Sequence, residues 1–278
     1  MHALIVPAPA KLNLFLHVTG RRGDGRHLLE TFFVALDFGD TVRVARREDG
    51  AIRRVAGWQD IPEEHDLAMR AARALQSASG SGAGADITVT KRIPVGGGLG
   101  GGSSDAASVL LALNRLWNLR LPRSRLMEIG LTLGADVPFF VSGEPAFAEG
   151  VGEILRRATL PPIWIALIAP AVNVSTAGIF AAPELTRDTP SAKISVFSEG
   201  YGRNDLQEVA AARHPEIATA LAELRRHSRH ARMTGSGSAV FASFASGKLA
   251  RDAVLATPPG MRAFVARTLS RHPLAAFA

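Results

Sequence analysis

The sequence predicts a mixed α/β chain in two parts. Three observations point there. The chain has 278 residues, roughly two domains' worth. Stretches that alternate apolar and polar residues take turns with stretches of helical spacing. A soft break lies between Glu153 and Pro162, where Pro161-Pro162 precede a fresh apolar run. We therefore divide the chain into residues 1–155 and 156–278. Hydrophobic residues are 47% and charged residues 21%, which excludes wholesale disorder.

The elements follow in order. In residues 10–18, Ala10, Leu12, Leu14, Leu16 and Val18 share one face of a strand, and Lys11, Asn13, Phe15 and His17 share the other. Gly20–Gly25 reads as a turn. Phe32–Phe38 and Thr41–Val44 read as strands separated by a turn at Gly39-Asp40. Leu67, Ala71, Ala74, Leu75 and Ala78 recur at helical spacing from Glu64 to about Ser77, and Ser77–Ala85 reads as a flexible loop. Asp86–Val95 is a strand, Gly96–Ser104 a glycine loop, and Ala106–Trp117 a helix with an apolar stripe. A further helix runs from about Arg123 to Leu133 and stops at Gly134. In the second part, Ile163–Ile168 is a strand and Leu185–Gly202 a loop. Asn204 caps a helix that Pro215 interrupts, with a second helix to about His230. Thr234–Ser238 is a glycine turn before a strand at Ala239–Phe244.

Composition removes several function classes. The chain has no cysteine, which excludes disulfides, thiol nucleophiles and iron–sulfur clusters. The net charge is +7, and only Lys11, Lys91, Lys193 and Lys248 are lysines among 32 basic residues. The densest basic group, Arg225, Arg226, Arg229 and Arg232, reads as a solvated helix face rather than a nucleic-acid surface. His227 and His230 on that helix are two ligands without a third, a weak metal site. The first residues lack a basic n-region, and no apolar run can span a bilayer, so a cytoplasmic protein is expected.

The strongest chemical signal is a strand, then Gly96–Ser104, then a helix. A helix N-terminus leaves backbone N–H groups unpaired, and glycines let a phosphate approach them closely. Six glycines in the seven residues Gly96–Gly102 are more than a turn needs. The loop is not a Walker A, because Ser103 follows Gly102 where that pattern needs lysine. It is not a dinucleotide loop either, because no acidic residue stands at the end of a following strand. Asp37-Phe38-Gly39 spells the protein-kinase metal triplet, but no His-Arg-Asp precedes it. Ser103 and Ser104 are open to three roles: helix cap, phosphate partner or metal ligand.

A bound triphosphate would need positive charge and a base. Lys11 lies inside an apolar strand with Asn13 on the same face. Asp136, within Gly134–Phe140, reads by itself as a helix cap ahead of Pro138.

Taken together, PAKLNLFLHVTGRRGDGRH, IPVGGGLGGGSSDAA, LGADVPFF and MTGSGSAVF, in this order and spacing, resemble the motifs of the GHMP small-molecule kinases. The resemblance covers essentially the whole chain. It implies a two-domain fold: an N-terminal domain of the ribosomal-protein-S5-domain-2 type for ATP and catalysis, and a C-terminal ferredoxin-like α+β domain for the acceptor. Asp136 would accept the acceptor's proton, with Lys11 orienting the hydroxyl. ATP, with Mg2+, would lie against Pro94, Gly96, Gly97, Gly98, Leu99, Gly100, Gly101, Gly102, Ser103, Ser104 and Leu67. Gly235–Gly237 would buttress that loop. No complete metal-ligand set is named.

Within the family, the resemblance is to members whose acceptor is the 2-hydroxyl of diphosphocytidyl methylerythritol. It implies acceptor contacts at Asn13, Arg26, His27, Thr176 and Phe180. The chain departs from the pattern in having Arg26 where a tyrosine commonly stacks on cytosine, and Asp66 where an asparagine often precedes Leu67. Either the Arg26 plane stacks on the base, as an arginine can, or Arg26 faces solvent and the base is held by His27 and Phe180 alone. Two alternatives remain: a GHMP kinase for a homoserine- or mevalonate-type alcohol, and a non-enzymatic RNA-binding protein with an S5-like fold. No nucleic acid or membrane partner is expected, and oligomeric state is left open.

Overall fold

In a computed structural model, residues 2–56, 61–191 and 200–277 are described. The long hairpin of β1 (Ala3–Arg21) and β2 (His27–Arg47) is the backbone of the fold. The alternation in residues 10–18 does form a strand, yet both faces are buried from Ala8 to Val18. On one face Ala10, Leu12 and Leu14 pack among strand residues and Leu16 and Val18 reach the core of the second part, while the other face carries Lys11 and Asn13 into a cleft. The pairing register shifts between Pro9 and Lys11 and again between Asn13 and Leu16. Irregularities of this kind re-aim side chains near sites, and here they bracket Lys11 and Asn13.

Gly39-Asp40 is not a turn. Gly39 pairs with Pro9 inside the β1–β2 ladder, and a Cβ there would stand 2.3 Å from the Ala8 carbonyl oxygen. The glycine permits close strand approach rather than reversal. Asp40 is buried, and its carboxylate accepts from the Arg92 and Ile93 backbone N–H groups.

Next along the chain, β3 (Ile52–Ala56) runs parallel to β4 (Gly84–Thr90), which pairs with β2. Between them lies α1 (Leu67–Ser79), capped by the Asp66 side chain and ended by Gly80 at φ 65°. The segment read as a flexible loop from Ser77 is thus shared between the end of α1 and the start of β4. The strand read as reaching Val95 stops at Thr90, because Asp40 takes the next backbone donors. Then come α2 (Gly101–Leu116), α3 (Arg123–Leu131), α4 (Val137–Ser142), β5 (Ala146–Glu149) and β6 (Ile154–Arg157).

In the second part, β7 (Trp164–Ala169) is followed by α5 (Thr176–Phe180), α6 (Gln207–Arg213) and α7 (Pro215–Arg225). Next are β8 (Arg232–Met233), β9 (Val240–Phe244), α8 (Gly247–Asp252) and β10 (Arg262–Leu269). Of the expected loop Leu185–Gly202, residues 192–199 lie outside the described residues. The second helix ends at Arg225, five residues before His230. Asn204 does not cap α6 directly. Its Oδ1 accepts from Leu206 N, while its Nδ2 holds the Met233 and Gly235 carbonyls.

The sheet order is β3-β4-β2-β10-β7-β9-β8, with β1 and β5 also on β2. β10 joins the two parts: residues 262–267 pair with β7, and Thr268 and Leu269 pair with β2. One apolar core lies under α1–α4, a second under α5–α8, and a third cluster, including Leu12, Phe32, Leu99, Leu167 and Phe241, fills the seam between them. Leu274 returns to the first core, and His272 N donates to Gly143 O at 2.7 Å. Among the described residues no helix is long and apolar enough to cross a membrane.

Candidate active site

Two clefts meet at the glycine loop, and a third opens from the second. The first, about 250 Å³, is lined by Leu67, Ile93, Pro94 and Gly96–Gly102, with Asp66, Lys91 and Asp105 among its polar groups. The second, about 350 Å³, holds Lys11, Asn13, Thr31, Ser103, Asp136, Thr176, Phe180 and Gly235–Gly237, and shares Gly96, Gly98 and Gly100 with the first. The third, about 410 Å³, holds Arg26, His27 and Leu131–Ala135, and shares Leu29, Ala135, Val151 and Phe180 with the second. The sequence-predicted residues therefore distribute over one continuous groove. Ser104 lies just beneath it, fully buried.

The loop's shape comes from glycine where nothing else fits. Gly96, Gly98 and Gly100 have φ of 68°, 72° and 70°. A Cβ on Gly98 would stand 2.3 Å from the Thr234 carbonyl oxygen, and one on Gly100 would stand 2.9 Å from Lys11 Cγ. The Thr234–Ser238 turn clasps the loop, with Ser238 N donating to Gly96 O at 2.9 Å and Ala239 N to Gly97 O at 3.1 Å. Gly100 occupies the N-cap of α2 without a side-chain cap, so neither Ser103 nor Ser104 caps that helix. Ser104 Oγ is enclosed with no partner among the described residues.

Lys11 Nζ lies 3.4 Å from Asp136 Oδ2 and donates to Asn13 Oδ1 at 2.5 Å. It also stands 4.9 Å over the Phe33 ring. Asn13 is itself fixed: its backbone N donates to Thr234 Oγ1 at 2.8 Å, and Nδ2 donates to Thr31 Oγ1 at 2.9 Å. Asp136 sits at the head of α4, yet its side chain makes no capping bond. The cap reading is thus corrected, because the carboxylate is turned to Lys11 and the cleft. Asp66 does cap its helix, accepting from Ala68 N at 3.0 Å, and also meets Arg54 Nη1 at 3.4 Å.

Three polar contacts of the groove escaped the sequence reading, although Thr176 itself was named. Lys91 bridges Asp40 and Asp105, at 2.7 Å from the Asp105 Oδ2 atom. Burial works against its ammonium, but the two carboxylates outweigh that and raise its pKa. Burial, joined by the Asp40 charge, pushes Asp105 up to about 7 despite Lys91. The signal was Lys91's rarity as a lysine. Thr176 and Ser236 hydroxyls are 2.7 Å apart, tying α5 to the glycine turn. Arg187 Nε donates to His27 Nε2 at 3.1 Å, and no local pattern marks it among 28 arginines. His27 and Phe180 stack with centroids 4.9 Å apart and planes at 26°. Arg26 is exposed at the third cleft's rim. Among the described residues no three acidic, histidine or cysteine side chains gather as a metal cluster, and His227 instead lies 3.9 Å from Glu223.

Comparison with known proteins fits this arrangement. Residues 66–144 match the GHMP kinases N terminal domain, and residues 184–258 match the GHMP kinases C terminal domain. The 4-diphosphocytidyl-2-C-methyl-D-erythritol kinase of Thiobacillus denitrificans is 56% identical over 96% of this chain and 96% of its own length. That of Cupriavidus taiwanensis is 54% identical over 98% of this chain and 95% of its own. A crystal structure of 4-(cytidine 5'-diphospho)-2C-methyl-D-erythritol kinase superposes with TM-score 0.82 at 34% identity, covering 95% of this chain and 99% of that one. A homoserine kinase from Cytophaga hutchinsonii shares the fold, with TM-score 0.73 at 16% identity, over 98% of this chain and 96% of that one. With both domains matched in order and near-full-length relatives above half identity, the chain belongs to the GHMP kinases, in the family of the 4-diphosphocytidyl-2-C-methyl-D-erythritol kinases.

Proposed function

We propose that the protein transfers the γ-phosphoryl group of ATP to the 2-hydroxyl of 4-diphosphocytidyl-2-C-methyl-D-erythritol, a step toward isoprenoid precursors. The observation that carries this is the Lys11–Asp136 pair, 3.4 Å apart, in the cleft that shares Gly96, Gly98 and Gly100 with the nucleotide cleft. The relatives' names supply the acceptor.

As a GHMP kinase the protein uses ATP. The nucleoside would lie toward Leu67, and the phosphates along Pro94 and Gly96–Ser104. The loop's backbone N–H groups and the positive end of α2 favour the anionic chain there. Asp136 accepts the proton of the acceptor hydroxyl as that oxygen bonds to the γ-phosphorus and the bond to the ADP oxygen breaks. Lys11, steered by Asn13, orients the hydroxyl and stabilises the charge that develops on the transferring group. Positioning and electrostatics then supply most of the catalysis. Magnesium would accompany ATP, held mainly by phosphate oxygens and water, and the unpartnered Ser104 hydroxyl is a protein group whose chemistry would suit it.

On this reading Arg26, His27 and Phe180 hold the cytosine, with the Arg26 guanidinium supplying a face for stacking. Thr176 lies toward the acceptor's diphosphate. Residues 1–155 carry the phosphate loop and both reacting-group side chains, and residues 156–278 carry Thr176, Phe180 and the Gly235–Gly237 turn. The reading places the reaction in the cytoplasm, where ATP is at hand.

Acceptor-dependent ADP release tests the proposal. Turnover with the cytidine-linked alcohol that collapses in Asp136→Asn supports it. Turnover on homoserine or mevalonate but not on this alcohol refutes the acceptor. No turnover with any small alcohol refutes the activity.

A further inference from the structure

His27, in the third cleft, is held from outside it by Arg187, a residue the reaction scheme leaves unused. His27 is the first residue of β2, on the N-terminal side of the cleft. Arg187 reaches it from beyond α5. The guanidinium is satisfied at every branch: Nε donates to His27 Nε2 at 3.1 Å, Nη1 to Leu185 O at 3.0 Å, and Nη2 to Phe180 O at 3.1 Å and Ala182 O at 2.6 Å. Three carbonyls therefore aim a fourth donor at one imidazole nitrogen.

Guanidinium has only donors, and it does not lose its charge. The nitrogen it faces must therefore be a lone-pair acceptor. In a neutral imidazole the proton then resides on the other nitrogen. That nitrogen, Nδ1, has no partner among the described residues and is not among the enclosed unpartnered atoms. Burial lowers the His27 pKa, and the charges of Arg187 and Arg21 lower it further, which keeps the ring neutral. The ring plane is fixed independently by the stack on Phe180, 4.9 Å between centroids. That spacing leaves no slot for a third ring between them, so a ligand base meets the edge of His27.

We infer that Arg187 is a positioning residue: it holds His27 as the neutral Nδ1–H tautomer, presenting a hydrogen-bond donor that selects a base with an acceptor on its ring edge. The second half of this inference rests on the reading that the third cleft holds a pyrimidine. Cytosine N3 is an acceptor, whereas uracil N3 carries a proton. With N3 turned to His27, the arrangement favours cytosine and leaves uracil facing donor against donor. An unpaired donor of this kind discriminates more strongly than a missing contact.

The experiment starts with the unaltered protein, labelled with 15N at histidine. The His27 signals should show a protonated, pyrrole-type Nδ1 and an unprotonated, pyridine-type Nε2 near neutral pH. A proton on Nε2, or an imidazolium, overturns the inference. The second arm uses Arg187→Met and Arg187→Lys, each checked for an unchanged thermal midpoint. The methionine variant should mix the two tautomers and weaken cytidine diphosphate binding about tenfold, equivalent to about 1.4 kcal/mol. It should also raise the acceptor KM with kcat unchanged and narrow the preference for cytidine over uridine diphosphate. The lysine variant, which keeps a donor, should restore part of each. A tautomer indifferent to Arg187→Met overturns the positioning role even if binding falls. Cytidine diphosphate that fails to bind the unaltered protein overturns the base-cleft reading and the selection half, while the tautomer measurement judges Arg187 by itself.

Discussion

The Asp136 carboxylate lies 3.4 Å from the Lys11 ammonium while making no bond to the helix it heads. A helix-capping aspartate would occupy its oxygens with first-turn N–H groups. Here the oxygens face a cation and a cleft. Asp136→Asn should therefore cost at most about 1 kcal/mol of stability, the scale of a part-exposed ion pair, while kcat falls by about 10²–10⁴. Denaturant unfolding beside steady-state kinetics separates the two. A large stability loss with turnover retained would mean the residue is a cap after all.

Gly98 and Gly102 should behave oppositely. Gly98 has φ 72° and no room for a Cβ beside Thr234, so Gly98→Ala should cost about 1–3 kcal/mol and raise the ATP KM. Gly102 is helical, with only Leu67 Cδ1 at 3.5 Å, so Gly102→Ala should keep or improve stability. Because it lines the cleft proposed for the nucleotide, ATP should still bind more weakly. Equal stability losses in the two would contradict this.

Stability should respond to pH through Asp105. Its pKa rises from 3.8 to about 7 in the fold, so between those values the folded chain keeps a proton that the unfolded chain has released. Stability then falls as pH rises through that window and is flat above it. His272 opposes this. Burial, with Arg123, lowers its pKa from 6.5 to about 4, so it removes stability as pH falls through that range. The informative quantity is the difference between the parent and Asp105→Asn. It should move in the variant's favour from pH 4 to pH 7. A difference independent of pH would show that Asp105 is ionised throughout.

Arg26→Ala should raise the acceptor KM roughly tenfold with kcat unchanged, if a guanidinium face takes the place of the family's tyrosine. An unchanged KM assigns the base to His27 and Phe180 alone.

Leu167 is 1% exposed in the seam where the two parts meet. Leu167→Ala should cost about 2–5 kcal/mol and shift a single unfolding transition for the whole chain. Two resolved transitions in the parent protein would show that the seam does not couple the parts.

The glycine loop was legible because its glycine excess has no cheaper local explanation, and the order of motifs brought Lys11 and Asp136 into view. Gly39-Asp40 was misread because a local dipeptide signal cannot tell a reversal from a close strand approach 30 residues away in sequence on Pro9. The same aspartate ended β4 early, by accepting the Arg92 and Ile93 donors that a longer strand would have used in its ladder. Lys91 stood out only as a rare residue, since its partners lie 51 and 14 positions away. Arg187 carried no signal at all, because its role depends on carbonyl geometry rather than on side-chain pattern.

The path of β10 also constrains the order of assembly. Leu274 completes a core otherwise built from residues 6–148, and Thr268 and Leu269 pair with β2. A ribosome makes these residues more than 100 positions after Ala148. The first half of the nascent chain must therefore wait, with part of its sheet edge unpaired and its core unfinished, until β10 has been made.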